Sequence, residues 1–147
     1  MTNDTKKIRI GLDIHGVIDK YLDIFVPLTH KWIKKHEIYI ITGQEWDKVS
    51  YIIYENDIAF TDHFSIVDYH KTIGTKIWDN DMRGLGYWMD KSEWIKSKGM
   101  YATSIGLNIH FDDTPEYFDY FPKTCKTILV ADDFDITFVP DEIMLMD

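Results

Sequence analysis

Five short apolar segments, separated by stretches long enough to form helices, limit most strongly how this chain can fold. They are IRIGLDI (8–14), EIYIITG (37–43), FSIV (64–67), LNIHFDD (107–113) and KTILVADD (126–133). Apolar runs of this length that are rich in β-branched residues are typical of strands packed on both faces. Helix-length connections between such strands favour parallel βαβ units. The sequence therefore predicts an α/β fold: a Rossmann-like, doubly wound, mostly parallel five-stranded sheet with helices on both faces.

The connections between these segments predict the helices. The stretch from Tyr21 to His36 repeats apolar residues at helical spacing and places lysines on the opposite side. The stretch after Gly43 repeats apolar residues at the same spacing. The long connection KTIGTKIWDNDMRGLGYWMDKSEW (71–94) contains glycines at first, so we expect it to be helical only toward its end.

Size and composition narrow the class of protein. A length of 147 residues suits one compact core, so residues 1–147 are predicted to form a single domain with a minimal cap or none. The formal charge of −9 disfavours a nucleic-acid partner, because such binding relies on lysine and arginine. No segment approaches the roughly 20 apolar residues of a membrane span, and the single cysteine, Cys125, excludes an intrachain disulfide. We expect a cytoplasmic protein without a membrane partner, and its oligomeric state stays open.

Polar residues follow three of the predicted strands at the point where each strand ends. Asp13 and His15 follow the first strand, Thr42-Gly43 ends the second, and Asp112-Asp113 ends the fourth. Ligands of open parallel sheets bind beyond the carboxyl ends of the strands. These residues are therefore the candidates for a functional site.

Four motifs at these positions resemble those of the haloacid dehalogenase (HAD) superfamily, whose members are mostly magnesium-dependent phosphatases with a Rossmann-like sheet. GLDIHGVI (11–18) resembles the nucleophile motif, usually written DxDG, and IYIITG (38–43) resembles the second motif. SKGMYA (97–102) resembles the lysine motif, and IHFDDTPEY (109–117) resembles the acidic fourth motif. Each motif alone is common, but their order and their shared place at strand ends are more specific.

The resemblance implies a phosphatase that acts on a small phosphorylated metabolite or nucleotide. Asp13 would attack phosphorus to give an aspartyl-phosphate, which splits one difficult step into two. Asp13, Asp112 and Asp113 would supply hard oxygen ligands to Mg²⁺. The family pattern implies that the backbone carbonyl of His15 adds another ligand to the metal.

Thr42, backbone N–H groups near Gly16 and Gly43, and one lysine would hold the phosphate. Two lysines are candidates for the motif position. Lys98 precedes a segment that leads into the fourth strand, where the family usually places its lysine, and Lys91 also precedes a predicted helix. We favour Lys98 and leave Lys91 as the alternative.

Structural roles stay open for several of these residues. Helix or turn capping is the alternative role of Asp13, Thr42 and the pair Asp112-Asp113. The pair Asp132-Asp133 also follows an apolar strand and competes as a metal-binding pair, although no further strand follows it. The aromatic segment WDNDMRGLGYWMD (78–90) either packs over the edge of the core or forms a wall that stacks on a substrate ring.

His15 is the one departure from the HAD pattern, which usually has a second aspartate at this place. That aspartate protonates the leaving group and then activates water. Imidazole can do both, whereas losing acid–base help costs about 10²- to 10⁴-fold in rate. Two hypotheses lead: a Mg²⁺-dependent phosphatase with Asp13 and His15 as catalytic residues, and a catalytically degenerate protein that binds a phosphate or nucleotide. Attack of Asp13 on a carbon centre is a third, weaker alternative.

Overall fold

The computed structural model describes residues 6–79 and 87–144, except for the side chains of residues 78, 79, 87 and 88. The strands are β1 (Arg9–Leu12), β2 (Glu37–Thr42), β3 (Asp62–Ser65), β4 (Trp78–Asp79), β5 (Tyr87–Trp88), β6 (Ile109–Asp112) and β7 (Lys126–Leu129). The α-helices are α1 (Leu22–Trp32), α2 (Trp46–Glu55), α3 (Ile66–Ile73) and α4 (Lys91–Ile105). Short 3₁₀ helices span Pro115–Tyr120, Ile136–Phe138 and Asp141–Ile143.

Five strands form one sheet in the order β3-β2-β1-β6-β7, and every neighbouring pair is parallel. The strands β4 and β5 pair with each other as a separate antiparallel ribbon. The first three strands lie side by side in one direction, and the chain then returns past β1 to add β6 and β7. Ligands of open α/β sheets bind where the strand order reverses in this way, here between β1 and β6.

Apolar side chains cover both faces of the sheet. On β2, Ile38 and Ile40 belong to a core cluster that also contains residues of α1 and α2. Ile41, which points to the opposite face, belongs to a second cluster that includes Ile66 of α3 and Ala102 of α4. The predicted Rossmann-like α/β fold with helices on both faces is confirmed, and the five-stranded sheet is parallel throughout.

The third strand is predicted at the wrong place. The sequence suggests residues 64–67, but β3 ends at Ser65 and α3 begins at Ile66. Ser65 is the N-cap of α3, because its Oγ accepts a hydrogen bond from the backbone N–H of Asp68 at 3.0 Å. The connection that follows is also helical at its start, since α3 continues to Ile73, and not only at its end.

Part of the long connection is not described. Residues 80–86 lie outside the described residues, as do the side chains of Trp78, Tyr87 and Trp88, so the predicted minimal cap and the aromatic wall at 78–90 stay predictions. Within residues 6–79 and 87–144, no helix has the length and apolar character needed to cross a bilayer.

A glycine lets α4 approach the 3₁₀ helix Pro115–Tyr120 closely. A Cβ atom on Gly99 would lie 2.1 Å from the backbone carbonyl oxygen of Tyr120, so no larger residue fits without a shift of the backbone. The neighbouring α4 residues Ser97 and Lys98 are buried with Gly99. This close contact fixes the depth at which Lys98 lies beneath the carboxyl edge of the sheet.

Candidate active site

The predicted site residues meet at one cavity of about 220 Å³ at the carboxyl edge of the sheet. Leu12 of β1 lies opposite Ile40 of β2 and Phe111 of β6, so these strands end at the same edge. Most of the predicted residues line the cavity, namely Asp13, His15, Thr42, Gly43, Lys98 and Asp113. Asp112 is fully buried directly beside them.

Lys98 is a buried cation held between the side chains of two aspartates. Its Nζ lies 2.8 Å from Oδ2 of Asp112 and 3.2 Å from Oδ1 of Asp13, and only 1% of the residue is exposed. Lys91 lies at the exposed first residue of the same helix, about two turns before Lys98. Of the two candidate lysines, Lys98 is therefore the one that contacts Asp13.

The cluster of Lys98, Asp13 and Asp112 keeps one carboxyl proton, which lies on Asp13. Burial, and then the negative charges of Asp112 and Asp113, raise the pKa of Asp13 to about 8 against the opposing effect of Lys98. Burial also opposes ionisation of Asp112, but Lys98 and a hydrogen bond from His110 outweigh it and hold the pKa of Asp112 well below its usual range. The free chain near neutral pH thus pairs protonated Lys98 with ionised Asp112 and leaves Asp13 protonated.

Three carboxylates at this edge could hold a metal ion. One oxygen from each of Asp13, Asp112 and Asp113 lies within 4.8 Å of the others. Asp113 is exposed and packs against Gly16, where a Cβ atom would lie 2.1 Å from its Oδ2 and where φ is +85°. Clustered carboxylate oxygens suit hard divalent cations such as Mg²⁺ and Ca²⁺, so the residues fit a metal of this kind.

Asp19, which was not among the predicted site residues, organises the turn that carries His15. Its Oδ1 accepts a hydrogen bond from the backbone N–H of Gly16 at 2.8 Å, and its Oδ2 lies 2.9 Å from Nδ1 of His15. Among the described residues, Nε2 of His15 has no hydrogen-bond partner. The imidazole is thus held through Nδ1, and His15 lines the cavity. An acidic residue four positions after His15 was the signal in the sequence.

His110, which was not among the predicted site residues either, contacts the buried carboxylate of Asp112. Its Nε2 lies 2.9 Å from Oδ2 of Asp112, and its ring stacks on Phe121 with centroids 4.7 Å apart. Gly11 makes room for the ring, since a Cβ atom there would lie 2.6 Å from Nδ1 of His110. Burial lowers the pKa of His110 despite the neighbouring carboxylate of Asp112.

Thr42 and Asp112 make local contacts of the capping type that the sequence left open. Oγ1 of Thr42 accepts a hydrogen bond from the backbone N–H of Gln44 at 3.3 Å, and Oδ1 of Asp112 accepts one from the backbone N–H of Thr114 at 3.2 Å. Neither contact uses the hydroxyl hydrogen of Thr42, which remains available to a ligand. Asp132 pairs with Lys20 at the surface and does not line the cavity.

Comparisons of this chain with protein-family models, with curated proteins and with solved structures find no match. The class of protein is therefore defined by the fold and the site alone. It is an α/β protein with a parallel, Rossmann-like sheet and a buried lysine–carboxylate cluster at the carboxyl edge.

The proton on Asp13 makes the stability of the metal-free protein depend on pH. Folded Asp13 keeps its proton to about pH 8, whereas the unfolded chain releases it near the ordinary aspartate pKa of 3.8, so the free energy of unfolding falls as pH rises between these values. Asp13→Asn removes this contribution and should flatten the pH dependence. Thermal unfolding in EDTA from pH 5 to pH 9 measures this pH dependence for wild type and Asp13→Asn. Asp132→Asn, at an exposed position, is the control. Parallel pH profiles for wild type and Asp13→Asn would contradict the assignment.

A metal at the three carboxylates should stabilise the folded chain. At a Mg²⁺ concentration about a hundredfold above Kd, the melting temperature should rise by roughly 5–10 °C, because only the native state binds the ion. Asp113→Asn should remove most of this rise, and it is a cleaner test than Asp112→Asn because Asp112 also holds Lys98. Asp132→Asn serves as the matched surface control. If Asp113→Asn responds to Mg²⁺ as wild type does, the metal binds elsewhere.

Proposed function

We propose that this chain is a Mg²⁺-dependent phosphohydrolase that transfers a phosphoryl group from a small monoester, a phosphorylated metabolite or nucleotide, to Asp13 and then to water. The observation that carries the proposal is the buried contact between Lys98 and Asp13 in the cavity that Thr42 and Asp113 also line. Phosphoryl transfer needs a nucleophile, positive charge at the phosphoryl oxygens and donors that orient the group. In the cavity, Asp13 would supply the nucleophile, Lys98 the positive charge and Thr42 a donor.

Asp13 is the nucleophile of the proposed reaction. One of its carboxylate oxygens attacks phosphorus while the bond from phosphorus to the alcohol oxygen breaks, and the departing alcohol takes a proton from Nε2 of His15. His15 then takes a proton from a water molecule, whose oxygen attacks phosphorus. The bond between phosphorus and Asp13 breaks, which releases inorganic phosphate and restores the carboxylate.

Positive charge makes this attack feasible. Lys98 donates a hydrogen bond to Asp112 and lies 3.2 Å from Asp13, and a further N–H donor of its ammonium group would bind a phosphoryl oxygen. Asp13, Asp112, Asp113 and the backbone carbonyl of His15 would hold the metal ion. When bound, a divalent cation favours the ionised form of Asp13 and offsets the charge of the phosphoryl oxygens.

Asp19 positions His15 for proton transfer. A carboxylate that holds one imidazole nitrogen fixes the tautomer and orientation of the ring, so that the other nitrogen exchanges the proton. Both side chains are partly exposed, so the contact contributes little to stability, and its value in this proposal lies in orientation.

A phosphate- or nucleotide-binding protein without turnover is the competing function. The observation that favours it is the exposure of His15, whose side chain is 54% accessible to solvent and is therefore less constrained than the buried residues around Asp13. The two functions share the same phosphate site and differ only in catalysis.

Substitutions at Asp13 and His15 separate the two functions. In a screen of phosphorylated metabolites with and without Mg²⁺, the best substrate should lose its turnover completely with Asp13→Asn. His15→Asn should lower kcat by about 10²- to 10⁴-fold with little change in KM, because the proton moves mainly in the transition state. The exposed His30→Asn is the matched control and should keep full activity.

Two results would contradict the proposed enzyme. Full activity of Asp13→Asn would exclude the aspartyl-phosphate. Equally slow wild type and His15→Asn, together with a fast His15→Asp, would show that the natural chain binds phosphate without catalysis.

A further inference from the structure

Two aromatic side chains line the same cavity as Asp13, and neither is needed to hold a phosphate. They are Trp94 of α4 and Tyr117 of the 3₁₀ helix Pro115–Tyr120. The Tyr117 ring lies over Nζ of Lys98, with the ring centroid 4.5 Å away, and its hydroxyl accepts a hydrogen bond from Nε1–H of Trp94 at 2.8 Å. The two rings thus continue from Lys98 outward along one side of the cavity.

This aromatic pair is held rigidly. Trp94 packs on the backbone of Gly43, where a Cβ atom would lie 2.7 Å from Cζ2 of the indole. The two elements that carry the pair are fixed to each other by the close approach of Gly99 to the backbone of Tyr120. A wall whose position is set before a ligand arrives loses little conformational freedom on binding.

Two hydrogen-bonding groups in or beside the aromatic wall, which is formed by Trp94 and Tyr117, have no partner among the described residues. Trp94 is half-buried and already has a partner for its only N–H donor, so it offers the cavity an apolar ring. Among the described residues, the hydroxyl hydrogen of Tyr117 has no acceptor. Gln44 is exposed at the cavity, and its side-chain amide has no hydrogen bond within the described part of the chain. Apolar rings with a few convergent polar groups are typical of sites for small organic ligands.

We propose that Trp94 and Tyr117 bind the leaving group, and that the substrate is a phosphate monoester whose alcohol carries a flat aromatic ring. Nucleoside monophosphates and aryl phosphates share this chemistry. The inference rests on the proposed function, because Lys98 and Thr42 must hold the phosphate for the ring to reach the wall. A cavity of about 220 Å³ lies below the roughly 300–1,000 Å³ of sites for drug-sized ligands, which favours a small monoester over a large one.

The test compares ligands with and without a ring. In the full chain carrying Asp13→Asn, so that no ligand is consumed, calorimetry at a Mg²⁺ concentration that raises the melting temperature of this variant measures Kd for inorganic phosphate, ribose 5-phosphate, uridine 5′-monophosphate and phenyl phosphate. At least one of the two ring-bearing ligands should bind about 10- to 100-fold more tightly than ribose 5-phosphate, the range expected for stacking. Comparison of Kd for uridine 5′-monophosphate with Kd for phenyl phosphate then distinguishes a nucleotide substrate from an aryl phosphate.

Variants of the wall complete the test. Trp94→Leu should abolish the ring preference and leave Kd for inorganic phosphate unchanged, whereas Trp94→Phe should retain the preference because it keeps a ring. Trp46→Leu replaces another half-buried tryptophan that does not line the cavity and should have no effect. Phosphate binding without a ring preference, or a preference that survives Trp94→Leu, would overturn the inference and leave the phosphohydrolase standing. Failure of every ligand to bind, inorganic phosphate included, would overturn both.

Discussion

The buried ion pairs of Lys98 are the interaction on which the site depends. A buried ammonium group is costly unless a carboxylate compensates its charge, and ionised Asp112 does so at 2.8 Å, while the protonated carboxyl group of Asp13 lies 3.2 Å away. Several other features follow from this arrangement. Gly99 lets α4 come close enough for the lysine to reach the sheet, while Gly11 gives His110 the room to hold Asp112 in place.

The cluster has more acidic groups than one lysine can balance. Asp13, Asp112 and Asp113 lie close together, but Lys98 contacts only the first two, and the free chain keeps Asp13 protonated to about pH 8. A divalent ion would take the place of that proton. Asp13 would therefore link the pH dependence of stability to the proposed nucleophilic attack, and Asp13→Asn is predicted to change both.

The sequence predicted the strand-end residues well, because they depend on local patterns. Apolar runs end at Asp13, Thr42 and Asp112, and parallel strands bring such ends to one edge of the sheet. Other features of the site could not be predicted, because they depend on contacts between distant segments of the chain. Lys98 and Lys91 belong to the same helix, so their order along the chain cannot say which one faces the sheet.

The start of α3 has a local signal in the sequence, whereas the aromatic pair Trp94 and Tyr117 has none. The Ser65–Asp68 cap is a short-range pattern that marks the start of α3, and reading it would have placed β3 correctly. The contact between Trp94 and Tyr117 joins two elements across 23 residues, and no local pattern indicates it. The aromatic wall proposed from the structure thus differs from the segment at 78–90 that the sequence suggested.

The central claim is that the phosphoryl group passes through Asp13, and chemical trapping tests it most directly. Borohydride reduces an aspartyl-phosphate to homoserine, and peptide mass spectrometry locates the altered residue. In wild-type chain quenched during turnover, the account predicts homoserine at position 13 only when substrate and Mg²⁺ are both present. Turnover of the same substrate with Asp13 unmodified throughout, or with the trapped group on another residue, would contradict it.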